Sequence, residues 1–401
     1  MSLNRMKILL AGLALSCLLG GVAPGQHEED LQAFAWVDDS NYGGGPRANE
    51  GLFFHYEWMH LSVLRPDVTT IGLMGDTRTV AIGTVVDPVT GDEEPVFRVQ
   101  SNSHDTGFLR SPLESANWFE LGYIEGHQGY TFNAFTMSTQ EQRFMLNDVD
   151  VVFSDPPGVS GLKHLEGFID ENLTIIEDLP VTFEQIDVLN TVNLWGVEWM
   201  YLYRTHPGRW GGLWEFGVGV RYMEFDEGFK VNALGGILDD STWNTEAENH
   251  LVGPVGFVRW FRKAGRWTLA AESRFFSGFN SQNIRQVGTL GSKLTNDPDA
   301  DPDESNITGT QGFPLIMTAS SFKHSRFFSE WSPGVELRVS FDYQVTRSIS
   351  LGVGWFGFWM DGIARASNVI DYQVPNMGID PANNRQDVFI NGPILRVLWN
   401  R

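Results

Sequence analysis

The chain has 401 residues, with 50 acidic against 28 basic side chains and a formal net charge of −22. That balance excludes a nucleic-acid binder, whose contact surface must supply positive charge. Charged residues make up only 19%, aromatics 13%, and there are 43 glycines, a composition suited to many strands and turns rather than to two or three soluble domains.

At the N-terminus Arg5 and Lys7 precede an apolar run, Ile8 to Leu19, followed by small residues up to Gly25. This is the order of a secretory signal, too short to span a membrane as a helix. Residues 1–25 are read as that signal, with cleavage after Gly25 and Ala23 at the −3 position. Residues 26–50 follow as an N-terminal periplasmic segment. The only cysteine, Cys17, lies inside the signal. The mature chain is then without disulfides, a thiol nucleophile or a cysteine metal site.

From residue 51 onward alternating segments dominate, and no later stretch has 18 consecutive apolar residues. Ten strands are predicted. They are Leu52–Leu64, Asn117–Gly126, Gly129–Thr139, Thr191–Arg204, Arg209–Phe225, Asn249–Arg262, Arg266–Phe276, Ser332–Tyr343, Ser348–Met360 and Asp387–Trp399. Tight links near His127, at His206-Pro207-Gly208, at Lys263-Ala264-Gly265 and at Gln344–Arg347 alternate with long ones over 65–116, 140–190, 226–248, 277–331 and 361–386. That alternation predicts an all-β fold: a transmembrane up-and-down antiparallel barrel of residues 51–401, with short periplasmic turns and long extracellular loops. Counts of eight or twelve stay open, because "TRTVAIGTVVD" and "DVDVVFS" inside the long links also read as strands. The link from Glu141 to Leu189 holds eleven acids and two bases, and "NDPDADPDESN" (Asn296–Asn306) is acidic and punctuated by proline.

The alternation predicts which face meets lipid. Trp214, Phe216, Val218, Val220 and Tyr222 oppose Glu215, Gly217, Gly219 and Arg221; Val335, Leu337, Val339, Phe341 and Tyr343 oppose Glu336, Arg338, Ser340 and Asp342. A charged face inside a soluble core would be costly, so the aromatic face is predicted to be the outside. Aromatics near strand ends, among them Trp199, Tyr203, Trp214, Tyr343, Trp355 and Trp399, suit interfacial girdles. The predicted lumen residues are Glu57, Glu120, Glu198, Glu215, Glu272 and Glu336 with Arg221, Arg259, Arg274, Arg338 and Arg396. Arginine forks pair with carboxylates at two points, and a ten-stranded barrel is narrow. The expectation is an interlocked Glu/Arg network filling most of the lumen, or alternatively an ion-selective constriction. Glycines at 217, 219, 352 and 354 are expected to leave room for the arginines.

The early "LFFHYEWMHLSVLRPDVTTIG" (Leu52–Gly72), "ENHLVGPVGFVRWF" (Glu248–Phe261) and the terminal hairpins resemble the putative beta-barrel porin-7 family of bacterial outer-membrane proteins. The resemblance implies a porin-like barrel in the bacterial outer membrane, with outer-membrane lipid and the assembly machinery as partners, and brings no catalytic residues. One departure is the C-terminus, where such barrels commonly end in an aromatic residue; here Asn400 and Arg401 follow Trp399.

Other chemistry is weakly signalled. Asp297, Asp299 and Asp301 alternate as calcium ligands can, but Pro302 and Thr308 stand where an EF-hand loop needs glycine and glutamate. No HExxH or Gly-x-Ser-x-Gly occurs. His250 and Asp361 near strand ends are the residues a barrel hydrolase would use, and His55 and His60 read as lumen or interface residues. The sequence therefore points away from an enzyme and needs no cofactor. It leaves two main functions: a porin-like barrel passing small solutes or cations, and a plugged barrel that anchors or displays its acidic loops.

Overall fold

A computed structural model describes residues 51–72, 78–86, 93–100, 104–147, 162–165, 168–169, 175–176, 181–183, 185–206, 212–234, 240–292, 319–346, 348–372 and 377–400. The signal and N-terminal segment, "DVDVVFS", the Asp297–Asp301 run and the Pro207-Gly208 pair lie outside the described residues.

Ten long strands form the wall: β1 (Gly51–Val63), β2 (Leu113–Glu125), β3 (Gln128–Asn147), β4 (Gln185–Arg204) and β5 (Gly212–Leu234), then β6 (Ser241–Ala264), β7 (Trp267–Leu290), β8 (Ser320–Gln344), β9 (Ile349–Ile363) and β10 (Gln386–Asn400). Each pairs antiparallel with its neighbours in chain order, and β1 pairs with β10 to close the barrel. "TRTVAIGTVVD" is no eleventh wall strand: Arg78–Val86 forms a separate hairpin with Glu93–Gln100. The tight turns after β2 and β6 turn on Gly126 (φ 58°) and Gly265 (φ 59°), where a side chain would be strained.

The outer face is apolar over a belt. Tyr123, Tyr130, Tyr203, Trp214 and Trp267 ring it at the turn side, and Trp58, Trp195 and Trp331 at the other; all are exposed. Between the rings lie exposed Phe132, Phe216, Val218, Val220, Leu351 and Val353. From Trp195 to Tyr203 the strand rises about 20 Å along the barrel axis, at roughly 3.3 Å per residue and a tilt near 40°. That approaches the roughly 25 Å apolar band of an outer-membrane barrel.

The strands continue well beyond this belt. Expected ends at Phe225, Asn249, Phe276 and Ser332 become Leu234, Ser241, Leu290 and Ser320, so the predicted link 226–248 shrinks to 235–240. The sequence pattern located the part of each strand that lies in lipid. Above it the backbone goes on pairing, because the ladder needs only hydrogen-bond partners and not lipid. The faces exchange character there. On β5 the outward residues become Glu224, Asp226, Lys230 and Asn232, while the inward ones become Phe225, Phe229, Val231 and Ala233, each fully buried. The upper interior is thus largely apolar inside a polar wall, with buried polar groups such as Glu227, Asn249 and Gln282 among the apolar side chains, a correction to a lumen expected to be polar throughout.

Candidate functional site

Two assemblies fill the barrel. The lower one lies at the level of the belt, and its charged residues come from inward positions of eight strands. Glu198 on β4 accepts from Arg221 Nε (2.7 Å), from Asn133 (2.8 Å) and from Arg274. Arg221 on β5 reaches Glu336 on β8 at 2.9 Å. Arg338 donates to Glu336 (2.6 Å) and to Glu57 on β1 (2.7 Å). Arg259 on β6 contacts Glu215 (3.2 Å), Glu272, and Glu120 on β2 (3.6 Å). Arg274 also binds Glu272. Arg396 on β10 pairs with Asp342 at 3.2 Å. Strands β4 and β7, β5 and β8, and β2 and β6 are three or four places apart in a ring of ten. These pairs therefore cross the lumen and do not merely decorate its wall.

Every predicted lumen residue lies on the inner face. Glu57, Glu120, Glu198, Glu215, Arg221, Arg274 and Glu336 are 2% exposed or less, and Glu272 and Arg338 are buried. Arg259 and Arg396 keep part of their side chains accessible. Three further members join the eleven predicted lumen residues. His55, which the sequence offers as a lumen or interface residue, lies between Glu57 (3.3 Å) and Glu120 (3.4 Å). Arg204 donates to Glu215 (2.8 Å), and Asp342 pairs with Arg396. The strand period places all three on the inward face: Arg204 with Glu198, His55 with Glu57, and Asp342 with Glu336 and Arg338. His60, by contrast, is on the outside, edge-on to Trp58 at 4.6 Å.

Aromatic rings pack against the guanidiniums. Trp118 lies 3.7 Å under the Arg338 guanidinium and 5.0 Å from that of Arg274. Arg221 is held between Phe276 and Phe358 at 5.8 and 5.7 Å, as flat cations over ring faces prefer. Of the four glycines expected to make room, Gly352 does so, since a Cβ there would strike Asp342 and Arg396. Gly217 instead accommodates the Phe257 ring, and Gly219 and Gly354 face neighbouring backbone carbonyls.

The upper assembly is a plug. Between β9 and β10 the chain folds inward, and residues 364–370 are all buried. Ala364, Ala366, Val369, Tyr372 and Ile379 pack with Phe229, Val231, Trp243 and Ile284 of the wall. Inward amides act as substitutes for missing strand partners. Asn249 donates to Ala364 O (2.9 Å) and accepts from Ala364 N (2.8 Å). Asn280 and Gln282 donate to Gly362 O at 2.8 and 3.0 Å, and Gln282 also donates to Asn384 O (3.0 Å). Arg365 pairs with Glu227, both fully buried, and reaches Leu64 O (3.1 Å). Glu227, Asn280, Gln282 and the 364–384 segment fall in predicted links, whereas Asn249 and Leu64 lie at the ends of predicted strands.

The two hydrolase candidates do not meet. His250 is outward on β6, bonded to Tyr222 Oη at 3.0 Å, while Asp361 caps the backbone N–H of Gly362 (2.8 Å). Among the described residues no group of three His, Cys, Asp or Glu side chains is arranged to hold a metal.

Solved structures of similar architecture include the outer membrane protease OmpT from Escherichia coli. It is 6% identical, covers 88% of this chain and 97% of its own, and has a TM-score of 0.34. The CymD monoaromatic hydrocarbon channel is 7% identical over 88% and 89%, with a TM-score of 0.30. A Pseudomonas aeruginosa FadL homologue is 6% identical over 87% and 89%, with a TM-score of 0.25. At such scores none of them transfers a residue role. No curated protein matches the chain. Residues 209–388, from the start of β5 into β10, match the model of the family described as Putative beta barrel porin-7, the family that the sequence resembles.

Proposed function

We propose that this porin-like barrel resides in the bacterial outer membrane, is shut as folded, and serves as a rigid anchor for its tall extracellular wall. The observation that carries the reading is the filling of the lumen. Glu/Arg pairs cross it at the level of the belt, and above them the β9–β10 segment is packed into an apolar core. A water path needs a continuous polar channel, and both levels interrupt one. Planar-bilayer recordings test this: purified, folded protein is expected to give no conductance steps. Regular steps from the wild-type chain overturn it.

Passage of small solutes or cations is the second reading. It is favoured by the family match over residues 209–388 and, for cations, by the charge of −22, which would raise cation concentration at the mouth. Under this reading, replacing residues 364–385 by a short linker opens cation-selective steps. A silent shortened variant leaves the anchor reading standing alone.

A further inference from the structure

The plugged lumen does not account for a cavity in the outer part of the wall. β2 begins at Leu113, and its pairing with β3 ends at Ala116 opposite Met137, so the end of β3 rises beyond its neighbour. The segment entering β2 is tied on both sides without filling the gap. Ser62 Oγ donates to Ser111 O (2.8 Å), and Arg65 N to Ser111 Oγ (3.1 Å). On the other side Gln142 accepts from Arg110 N (2.8 Å) and donates to Arg110 O. Between them lies an open cavity of about 880 Å³, in the range of small-molecule sites.

Its lining has two kinds of chemistry. Arg65, Arg110 and Arg143 are three cations against one acid, Glu141, in a chain whose net charge is −22. Among the described residues no acid pairs with any of the three. Arg65 Nη1 instead donates to Gly107 O at 2.7 Å, which pins its guanidinium at the rim. Phe108 and Phe144 stack at 4.1 Å and 12°, giving a flat apolar surface beside the cations.

We infer that this cavity binds a phosphorylated sugar, the phosphate held by the arginines and the ring lying on the Phe108–Phe144 pair. Planar guanidinium forks match phosphate oxygens, and a phosphomonoester carries about −1.5 to −2 at pH 7, the complement of three arginines and one glutamate. The cavity leaves room for a ring beside the phosphate, and the Phe108–Phe144 pair offers it an apolar contact. Two sources offer this chemistry: a free sugar phosphate, or the phosphorylated sugar headgroup of a surrounding glycolipid.

Calorimetric titration of the full chain in detergent distinguishes them, with glucose 6-phosphate as the free probe and glucose as its control. A second arm uses phosphatidylcholine nanodiscs with and without a phosphorylated disaccharide lipid. Saturable binding of glucose 6-phosphate, or of the phosphorylated lipid alone, is expected, weakened at least tenfold in R110A/R143A. Heat-modifiable gel migration confirms that the variant is folded. Should it not fold, Glu141→Gln replaces it and is expected to tighten binding several-fold. The inference is overturned if neither probe binds, if glucose binds as tightly as its phosphate, or if the folded variants bind as the wild type does.

Discussion

The same strands build two opposite interiors. At the level of the belt β5 turns Trp214, Phe216 and Val218 outward and Glu215 and Arg221 inward; a few residues on it turns Glu224 and Lys230 outward and Phe229 and Val231 inward. Along β5 the geometric alternation keeps its phase. What changes is the medium outside. In lipid the apolar side chains are best placed outward, and the charges are left to satisfy one another inside. In water the apolar residues are withdrawn and form a core. The lower interior is therefore crossed by paired charges packed among apolar rings, and the upper one is mainly apolar packing tied by amides and one buried ion pair. Each fails under a different insult.

Removing one charge should harm the lower interior most. Glu198 accepts from Arg221, Arg274 and Asn133, so Glu198→Ala takes one carboxylate partner from each of two buried guanidiniums, leaving Arg221 only Glu336 and Arg274 only Glu272 and Glu336. A loss of about 3–5 kcal/mol is expected, read from urea unfolding in lipid vesicles by tryptophan fluorescence. A loss below about 1 kcal/mol would mean that the network re-pairs freely. The matching insult above is Phe229→Ala, for which truncation of a buried ring predicts about 3–5 kcal/mol. It should loosen the plug, seen as faster proteolysis of residues 364–385, whereas Glu198→Ala should not.

The outer faces sharpen the contrast. Val218→Arg, in the belt, should cost about 2–4 kcal/mol, while Thr242→Arg, outward above it, should stay within about 0.5 kcal/mol. Equal costs in the same unfolding assay would place the water boundary elsewhere. Asn249→Ala takes both bonds from Ala364 and should cost about 1–3 kcal/mol, again exposing the plug to protease.

The smallest effect is a pH dependence of the upper wall. Burial, and then the neighbouring Glu224, push the Asp226 carboxyl up to about 7 from an ordinary 3.8. Glu248 stands directly across from it on β6. An acid raised in this way supports the fold while protonated. Its contribution is full below 3.8 and is lost as pH rises through about 7. The unfolding midpoint should fall slightly between pH 5 and 8, and Asp226→Asn should flatten that slope. An unchanged slope in the variant would remove Asp226 as the cause.

How much of this was legible follows from the same exchange of faces. The barrel and the eleven lumen positions could be read where a strongly apolar face opposed a charged one, as in Val335–Tyr343. Where β5 leaves the belt, Tyr222, Met223 and Phe225 are apolar or aromatic on both faces, so the contrast vanishes and the strand seems to end. Beyond that point the contrast returns with its sign reversed and looks like loop. The plug was illegible for another reason. Residues 364–370 have no strand or helix period, and their burial depends on amides at Asn249, Asn280 and Gln282, far away in sequence. The cavity on β3 likewise joins residues around 65, 110 and 143, which no local pattern connects.

Closure of the barrel joins the first strand to the last, and there Glu57 stands opposite Arg396. A slip of two residues would set Glu57 against Ile394 or Leu398 and carry its carboxylate away from Arg338. An unpaired charge buried in this way costs several kcal/mol, more than a sliding ladder of similar hydrogen bonds could recover. The charges at the seam thus act as a proofreading key. They favour one alignment of β1 on β10, because each neighbouring register that keeps the same faces separates Glu57 from its arginines.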